Sequence, residues 1–380
     1  MTQIAVNPMD SYDLTTETKI NIDELIRFLN YDDLPMLGGV NADGFATIAK
    51  VPVDNTIFYW LEQDMPVPRT TAAEALDGSE TDVDVATGDG VNFAVGDAIR
   101  IDAEVMFITG IATDTLTVVR GSGGSSATTH ADGADIVGLG TVLDEGDIGT
   151  QQFRGRDKKS NYTQIWTSQI NMTRTQQRIP KYGVPSELGN LVRQVQLSEA
   201  INKEQAFLYG SKWQSDPRRT TGGLTEFITT NVESGSVNWI TVDEIEEKQQ
   251  TAYDAGGLWD CLVTRPRNFA ALNDTTNTER VRTDWMDQYR GRRRATSVVT
   301  EFGEVELYRN RHVRAEDAFG INREDLSERV FQPMVVQPLA KTDDRDKWMF
   351  VNEAGFQVKG ERHQVRWSTL DNTQAVPAGV

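Results

Sequence analysis

The sequence predicts an α+β fold carrying a small β-barrel or sandwich as an insert, and three observations lead to that expectation. One long helical stretch runs from Pro185 to Gly210. Short β-forming runs separated by turn residues recur through 77–149. Helical and strand-forming segments then alternate from Thr225 to the end of the sequence. A chain of 380 residues can bury a sizeable core and divide into two or three domains.

The helix opens at Val184-Pro185-Ser186-Glu187, where Pro suits an early helical position and Glu suits the positive end of the dipole. Leu188, Leu191, Val192 and Val195 share one face by i, i+3, i+4 spacing. Leu197, Ile201 and Leu208 continue the stripe with a rotational drift, so contacts are expected on more than one side. Gly210 is expected to end the helix in the left-handed conformation. At about 1.5 Å per residue the element would be nearly ~40 Å long, and it needs partners along that length.

Before the helix, residues 1–20 are polar and aperiodic and read as an arm. A short helix follows, with Asn21 as its cap, Asp23 and Glu24 in its first turn, and Ile22, Leu25, Ile26 and Leu29 on one face. Leu34-Pro35 breaks it. Two turns of amphipathic helix are marginal alone, so this face is expected to lie on another surface. Ile57 to Leu61 reads as a strand. A second extended limb, Asn161 to Arg178, returns toward the long helix. Together the limbs predict a two-stranded projection with the 77–149 segment near its tip.

That segment is the most acidic part of a chain whose formal net charge is −19. It holds fourteen Asp and Glu, no Lys, and only Arg100 and Arg120. Its β runs are Val83–Val85, Ile99–Ile101, Val105–Ile108, Leu116–Val119 and Ile136–Leu139, with turn chemistry at Gly96-Asp97 and Thr113-Asp114. So strong a negative balance argues against general affinity for nucleic acid, which needs cationic side chains to displace counterions.

Beyond the helix, Ser211 to Gly223 reads as a polar loop and Val242 to Ala255 as a helix. Trp259 to Thr264 reads as a strand, followed by a helix toward Leu272. A hairpin pairs Thr296–Phe302 with Val305–Tyr308 about a turn at Gly303. Phe331–Leu339 reads as a Pro-punctuated extended run, and the Pro-poor strands Trp348–Val351 and Gln364–Trp367 are expected to return to the long helix and close its domain.

Catalytic and metal signals fail one by one. His130, His312 and His363 are the only histidines and lack paired metal-ligand spacing. Gly121-Ser122-Gly123-Gly124 has no following Lys-Ser/Thr and reads as a hairpin loop. Asp82, Asp84 and Asp89 invite calcium, but Ala86 and Phe93 stand where the loop template needs oxygen ligands. Cys261, the only cysteine, has apolar neighbours and reads as a buried structural thiol. No catalytic residue, metal or cofactor is therefore expected. No apolar run approaches the roughly 18 residues that span a bilayer, and Met1-Thr2-Gln3 does not open a signal peptide. Arg290, Arg292, Arg293 and Arg294 form the strongest basic cluster. In so acidic a chain it is expected to meet carboxylates of a neighbouring copy, with a salt-sensitive DNA contact as the alternative.

Taken together, these residues resemble the major capsid proteins of tailed bacteriophages, which share the Hong Kong 97-type fold. The likeness rests on Ile22–Leu29 with Leu34-Pro35, on Trp60 opening an extended loop, and on the returning Asn161-Tyr162-Thr163-Gln164-Ile165. It rests equally on the helix ending Glu204-Gln205-Ala206-Phe207-Leu208-Tyr209-Gly210, on Thr300-Glu301-Phe302-Gly303-Glu304-Val305, and on Leu339-Ala340-Lys341-Thr342-Asp343-Asp344. The resemblance implies an N-terminal arm over 1–55 and extended-loop (E-loop) limbs at 56–76 and 150–182. It implies a peripheral domain with the spine helix at 183–224, an axial domain at 225–335, and a return to the peripheral domain at 336–380. The acidic β segment at 77–149 departs from the minimal pattern as an insert.

By the same resemblance the chain is a non-enzymatic virion protein, assembled in a host cytoplasm into hexamers and pentamers of an icosahedral head that encloses double-stranded DNA without reading its sequence. It implies a separate scaffolding protein, a portal and a decoration protein as partners, and no membrane. Ile22, Leu25, Ile26, Leu29, Trp60, Arg290, Arg292, Arg293 and Arg294 are the expected intersubunit contacts. An encapsulin-type compartment shell uses the same fold and is the first alternative, followed by an unrelated α/β enzyme or carbohydrate-binding protein.

Overall fold

The computed structural model describes residues 36–37, 48–63, 67–142, 145–146, 155–179, 186–234, 239–269, 272, 281–285, 293–341 and 344–371. The predicted helix at Ile22–Leu29 lies outside them. Two compact units emerge, one of Met1–Tyr59 with Ser160–Val380 and one of Trp60–Lys159.

The chain enters through β1 (Ala49–Pro52) and β2 (Ile57–Glu62). Six strands then build the second unit: β3 (Arg69–Thr71), β4 (Asp82–Asp84), β5 (Asp97–Ile101), β6 (Glu104–Ala112), β7 (Thr115–Ser122) and β8 (Asp135–Thr141). All neighbours are antiparallel in the order β3-β8-β5-β6-β7-β4. Backbone bonds also join the two end strands, through an Ala72↔Val85 bridge and through Ala73 N–H to Asp84 O at 2.8 Å, so the sheet closes on itself as a small barrel. Period-2 alternation fills its interior with Val83, Ile99, Ile101, Met106, Ile108, Leu116, Val118 and Ile136. The turns at Asp102 and Thr113 take positive φ of 52° and 56°. Gly90 is forced by crowding, because a Cβ there would stand 1.9 Å from Thr113 O.

The first unit resumes with β9 (Asp157–Tyr162), which pairs with β2 as a two-stranded ribbon, and β10 (Gln164–Thr173). The limb was expected to stay extended to Arg178. Instead Thr173 accepts a bond from Gln176 N–H and caps α1 (Arg174–Arg178). The long helix, α2, spans Glu187–Tyr209, with the Ser186 hydroxyl accepting from Gly189 N–H at 3.3 Å. Its end corrects the left-handed stop expected of Gly210, whose φ is −63°. Glycine is needed there for space instead, since a Cβ would lie 2.4 Å from Ala206 O and 2.5 Å from Thr221 O.

The expected polar loop contains a hairpin, β11 (Trp213–Ser215) with β12 (Arg218–Thr220). After α3 (Leu224–Phe227) and β13 (Val232–Glu233), α4 (Val242–Asp254) begins under a Thr241 cap with Asp243 and Glu244 in its first turn. Next come β14 (Cys261–Thr264), β15 (Val281–Trp285), β16 (Arg293–Thr300), β17 (Gly303–Arg309) and β18 (Ala318–Ile321). Pro266–Phe269 is a 3-10 turn on the way to the expected helix, in which Leu272 lies, and the β16–β17 turn is Glu301-Phe302, with Gly303 already on the strand. The last strands are β19 (Leu326–Pro338), β20 (Arg345–Val358) and β21 (Val365–Trp367).

Two sheets organise this unit. One has the order β1-β19-β20-β10, the other β13-β21-β18-β14-β17-β16-β15. The expectation that the final strands all return to the long helix holds for β20, which pairs with β10, and fails for β21, which pairs with β13 and β18. Phe207 and Leu208 at the end of α2 anchor one core with Trp166, Phe319 and Phe356, the Phe207 and Phe356 rings meeting edge-on at 4.8 Å. A second core under α4 centres on Trp259 and Trp367, with centroids 6.0 Å apart.

Candidate functional site

The described residues build a set of braced elements with partly covered faces. Bracing is densest where the returning limb meets α2. Asn161, fully buried at the end of β9, donates from Nδ2 to Thr221 Oγ1 (3.1 Å), Gly222 O (3.0 Å) and Phe356 O (2.6 Å), while its Oδ1 accepts from Gly222 N–H (2.8 Å). Thr163 donates to Glu353 Oε1 at 2.5 Å, and Arg219 donates to the same oxygen. On α2, Glu204 accepts from Asn310 Nδ2 (2.8 Å) and Met36 N–H (3.3 Å), and Glu199 accepts from the Ser168 hydroxyl. Lys203 pairs with Glu328 and lies 5.9 Å from the Trp166 ring centroid. Beside it a cavity of about 270 Å³ is lined by Lys50, Lys203, Glu328, Met334 and Asn352.

These polar groups escaped the sequence reading, because the helix was followed by its apolar stripe alone. The available signal was Glu199, Lys203 and Glu204 at helical spacing, ionisable residues beside Phe207 and Leu208 that burial would oblige to find partners.

The faces left partly covered are apolar. Leu188, Leu191, Val192 and Val195 are all half-buried in the single chain, whereas Phe207 and Leu208 are fully buried. Alternation along β2 puts Phe58 and Trp60 inside and leaves Tyr59 and Leu61 more than half exposed. Trp60 Nε1 donates to Glu62 Oε1 at 2.8 Å, and its strand neighbours occupy the outer face. Ile165, Ile179, Phe331 and Val336 are further exposed apolar side chains.

Of the other expected contacts, Ile22, Leu25, Ile26, Leu29, Arg290 and Arg292 lie outside the described residues. Arg293 and Arg294 sit on β16 in register with Trp285 and Asp284, which places them on a strand pair without describing their side chains.

In the second unit the polar groups form a closed ionic cluster. Glu104, almost fully buried, accepts from Arg120 through both oxygens (Nε 3.1 Å, Nη2 2.8 Å), from Gly121 and Thr128 N–H (3.0 Å each), and faces His130 Nε2 at 3.0 Å. The other ring nitrogen of His130 faces Asp102 Oδ2 at 2.8 Å. Burial alone would raise the Glu104 carboxyl, but the bonds from Arg120, Thr128, His130 and Gly121 outweigh it and hold it down at about 2. His130 is thus a structural residue.

The calcium candidates are likewise satisfied within the barrel. Asp82 accepts from Thr117 (2.9 Å), Asp84 from Thr115 (2.6 Å) and Asp89 from Thr70 (2.7 Å). Among the described residues no group of three or more His, Cys, Asp or Glu is placed to hold a metal ion. Cys261 is buried, and burial pushes its thiol far up, which suits packing rather than nucleophilic attack. Among the described residues no helix is long and apolar enough to cross a membrane.

A family profile described as SU10 major capsid protein matches residues 8–371. Among solved structures, the capsid of an empty GTA particle is 9% identical with a TM-score of 0.50, the match covering 96% of this chain and all of that one. A chain from Microbacterium phage Oxtober96 is 11% identical with a TM-score of 0.50, covering 93% of each. The holo-SrpI encapsulin of Synechococcus elongatus PCC 7942 is less similar, at 11% identity and a TM-score of 0.44 over 58% of this chain and 79% of that one. No curated protein matches the sequence. At these identities the two matches with a TM-score of 0.50 speak for a Hong Kong 97-like capsid fold and for nothing finer.

Proposed function

The chain belongs to the SU10 major capsid protein family and is a phage head shell protein that self-assembles into capsomers; from that premise we propose that it forms the hexamers and pentamers of an icosahedral head enclosing double-stranded DNA. The half-buried face of α2 carries this reading. Leu188, Leu191, Val192 and Val195 keep partial exposure along a helix of 23 residues whose other end is fully packed. An element stiff enough to hold its shape and incompletely buried by its own chain gains by symmetric association.

In this reading the β1-β19-β20-β10 sheet with α2 is the peripheral domain, and the seven-stranded sheet with α4 is the axial domain. The β2–β9 ribbon is the base of the extended loop, and the barrel of β3 to β8 is an insert carried on that loop. The 1–55 arm reaches a neighbouring copy, and the Arg290–Arg294 cluster meets its carboxylates. The subunit performs no catalysis, is assembled in a host cytoplasm, and works with a separate scaffolding protein, a portal and a decoration protein.

Electron microscopy of the purified protein, alone and with candidate scaffold, tests the proposal. Closed shells, sheets or five- and six-membered rings are expected. A uniform population of monomers under both conditions would overturn it.

A further inference from the structure

We propose that one face of the β11–β12 hairpin, centred on Trp213 and Arg218, is a contact surface that takes an acidic patch of a second copy of the chain. The inference rests on the capsid reading and adds to it a contact that neither the arm nor the Arg290–Arg294 cluster supplies. Register sets Trp213 opposite Thr220, Gln214 opposite Arg219 and Ser215 opposite Arg218. Residues directly opposite in an antiparallel pair share a face, as do alternate residues along each strand. Trp213, Ser215, Arg218 and Thr220 therefore stand on one face, and Gln214 and Arg219 on the other. The face of Arg219 is held by the hairpin's own chain, since Arg219 pairs with Glu353 and donates from Nε to Thr163 Oγ1 at 3.2 Å. At the base of the hairpin, Lys212 donates to Ser160 Oγ at 2.9 Å and lies 5.7 Å from the Tyr162 ring centroid, and Thr221 N–H donates to Gln164 Oε1 at 3.2 Å. A two-stranded hairpin is marginal alone, so these bonds fix its pose.

The opposite face is left without such partners. Among the described residues, neither the Trp213 indole N–H nor the Arg218 guanidinium makes a hydrogen bond or an ion pair. Trp213 is 49% exposed, whereas Trp60, Trp166, Trp239, Trp259, Trp348 and Trp367 are all buried or half-buried. Trp and Arg are the residue types that concentrate binding energy in protein contacts, the ring by desolvation and the guanidinium by a bidentate bond to a carboxylate. Presenting them on a braced hairpin lowers the ordering cost of association. Charge then identifies the partner. The chain carries 57 Asp and Glu against 38 Lys and Arg, so a second copy offers carboxylates in excess. DNA is the other anionic candidate, but phosphate binding gains strength with every cation engaged. Here Arg219 is neutralised by Glu353, and Asp216 sits at the turn close in sequence to Arg218, a balance that suits a carboxylate rather than a phosphate backbone.

The test uses DNA-filled particles of the wild-type chain into which a small share of Ser215→Cys subunits, labelled with a benzophenone maleimide, is assembled. Ser215 is exposed on the face of Trp213 and Arg218 and leaves both intact, and the native Cys261 is buried and serves as the unreactive background. Irradiation should join the labelled subunit to a second copy in the particles and to nothing in dissociated subunits. Particles that contain the label and yield no covalent dimer, or yield an adduct to DNA instead, would overturn the proposal. The double variant Trp213→Ala with Arg218→Ala is the independent arm. Its thermal unfolding should match that of the wild type, because both side chains are exposed in the single chain. The subunit concentration at which it forms shells should rise at least about tenfold. Shells at an unchanged concentration would overturn the proposal, and this arm decides alone if the labelled subunits do not enter particles. Failure of the wild-type chain to form particles at all would instead strike the capsid reading.

Discussion

The barrel and the first four turns of α2 treat their unsatisfied groups in opposite ways. In the barrel the sheet closes through Ala72 and Val85 and the apolar side chains of β5, β6 and β7 fill one interior, while Val91, Val95, Val119, Val137 and Leu139 stay exposed on its outside. The buried carboxylate of Glu104 is surrounded by Arg120, His130 and two N–H groups. On α2 the stripe from Leu188 to Val195 stays half-covered, and among its large apolar side chains full burial comes only at Phe207 and Leu208, which reach the β10–β20 core. In the proposed reading the barrel keeps its core and ionic cluster without neighbours, and the helix stripe is completed by them. The difference separates mutations that unfold a part of the subunit from mutations that leave it folded and stop assembly.

The most damaging change should be Glu104→Ala. It strands Arg120 inside the barrel and removes the acceptor of two backbone N–H groups, and breaking a buried pair of this kind costs roughly 3–5 kcal/mol. Hydrogen exchange of the full chain should then show peptides from 97–122 opening while those from β10 and β20 keep their protection. Equal loss in both units would break the view that the barrel is self-sufficient. Acid gives the same contrast without mutation. Because Glu104 sits at about 2 in the fold against 4.5 ordinarily, its stabilisation is complete above about 4.5 and drains away as pH falls toward 2. Protection of the barrel should decline through that window, and Glu104→Gln should flatten the decline.

Smaller effects belong to the helix. Ser186→Ala removes the hydroxyl that accepts from Gly189 N–H, and about 1 kcal/mol of subunit stability should go with it, read as a lower urea midpoint at unchanged slope.

Much of this fold was legible in the sequence because its periodicities are local. The five β runs of 77–149 fall within the strands observed there, or within a residue of them, since Ile, Val and turn residues alternate cleanly. The long helix, expected from Pro185, begins at Glu187 with Ser186 as its cap, so its start was legible to within two residues. What stayed hidden was non-local. Nothing near Gly210 says that Thr221 O will pass so close as to exclude a Cβ, and nothing in Val365–Trp367 says that β18 rather than the long helix will be its neighbour. Trp60 was expected, by resemblance, to open the extended loop and meet a neighbouring copy. The phase of alternation on β2, which turns it inward and Tyr59 and Leu61 outward, is fixed by the packing of the strand. The Asn161 hub depends on partners 60 and 195 residues away, a separation that no pattern in one sequence encodes.

The smallest expected cost to the subunit carries the largest expected consequence for the shell. Leu191→Gln with Val195→Gln exchanges two half-buried apolar side chains for polar ones of good helix propensity, so the isolated chain should lose no more than about 1 kcal/mol. Thermal unfolding of the subunit should therefore shift little. If neighbouring copies bury that stripe, each contact would have to desolvate two amides without matched partners, at roughly 1–3 kcal/mol apiece, and the loss recurs at every copy of a closed shell. Sedimentation and electron microscopy should then find folded subunits that no longer form shells. Shells of normal yield and stability would show that α2 lies open in the particle, and the contrast with the barrel would have to be redrawn around Tyr59, Leu61 and the β2–β9 ribbon.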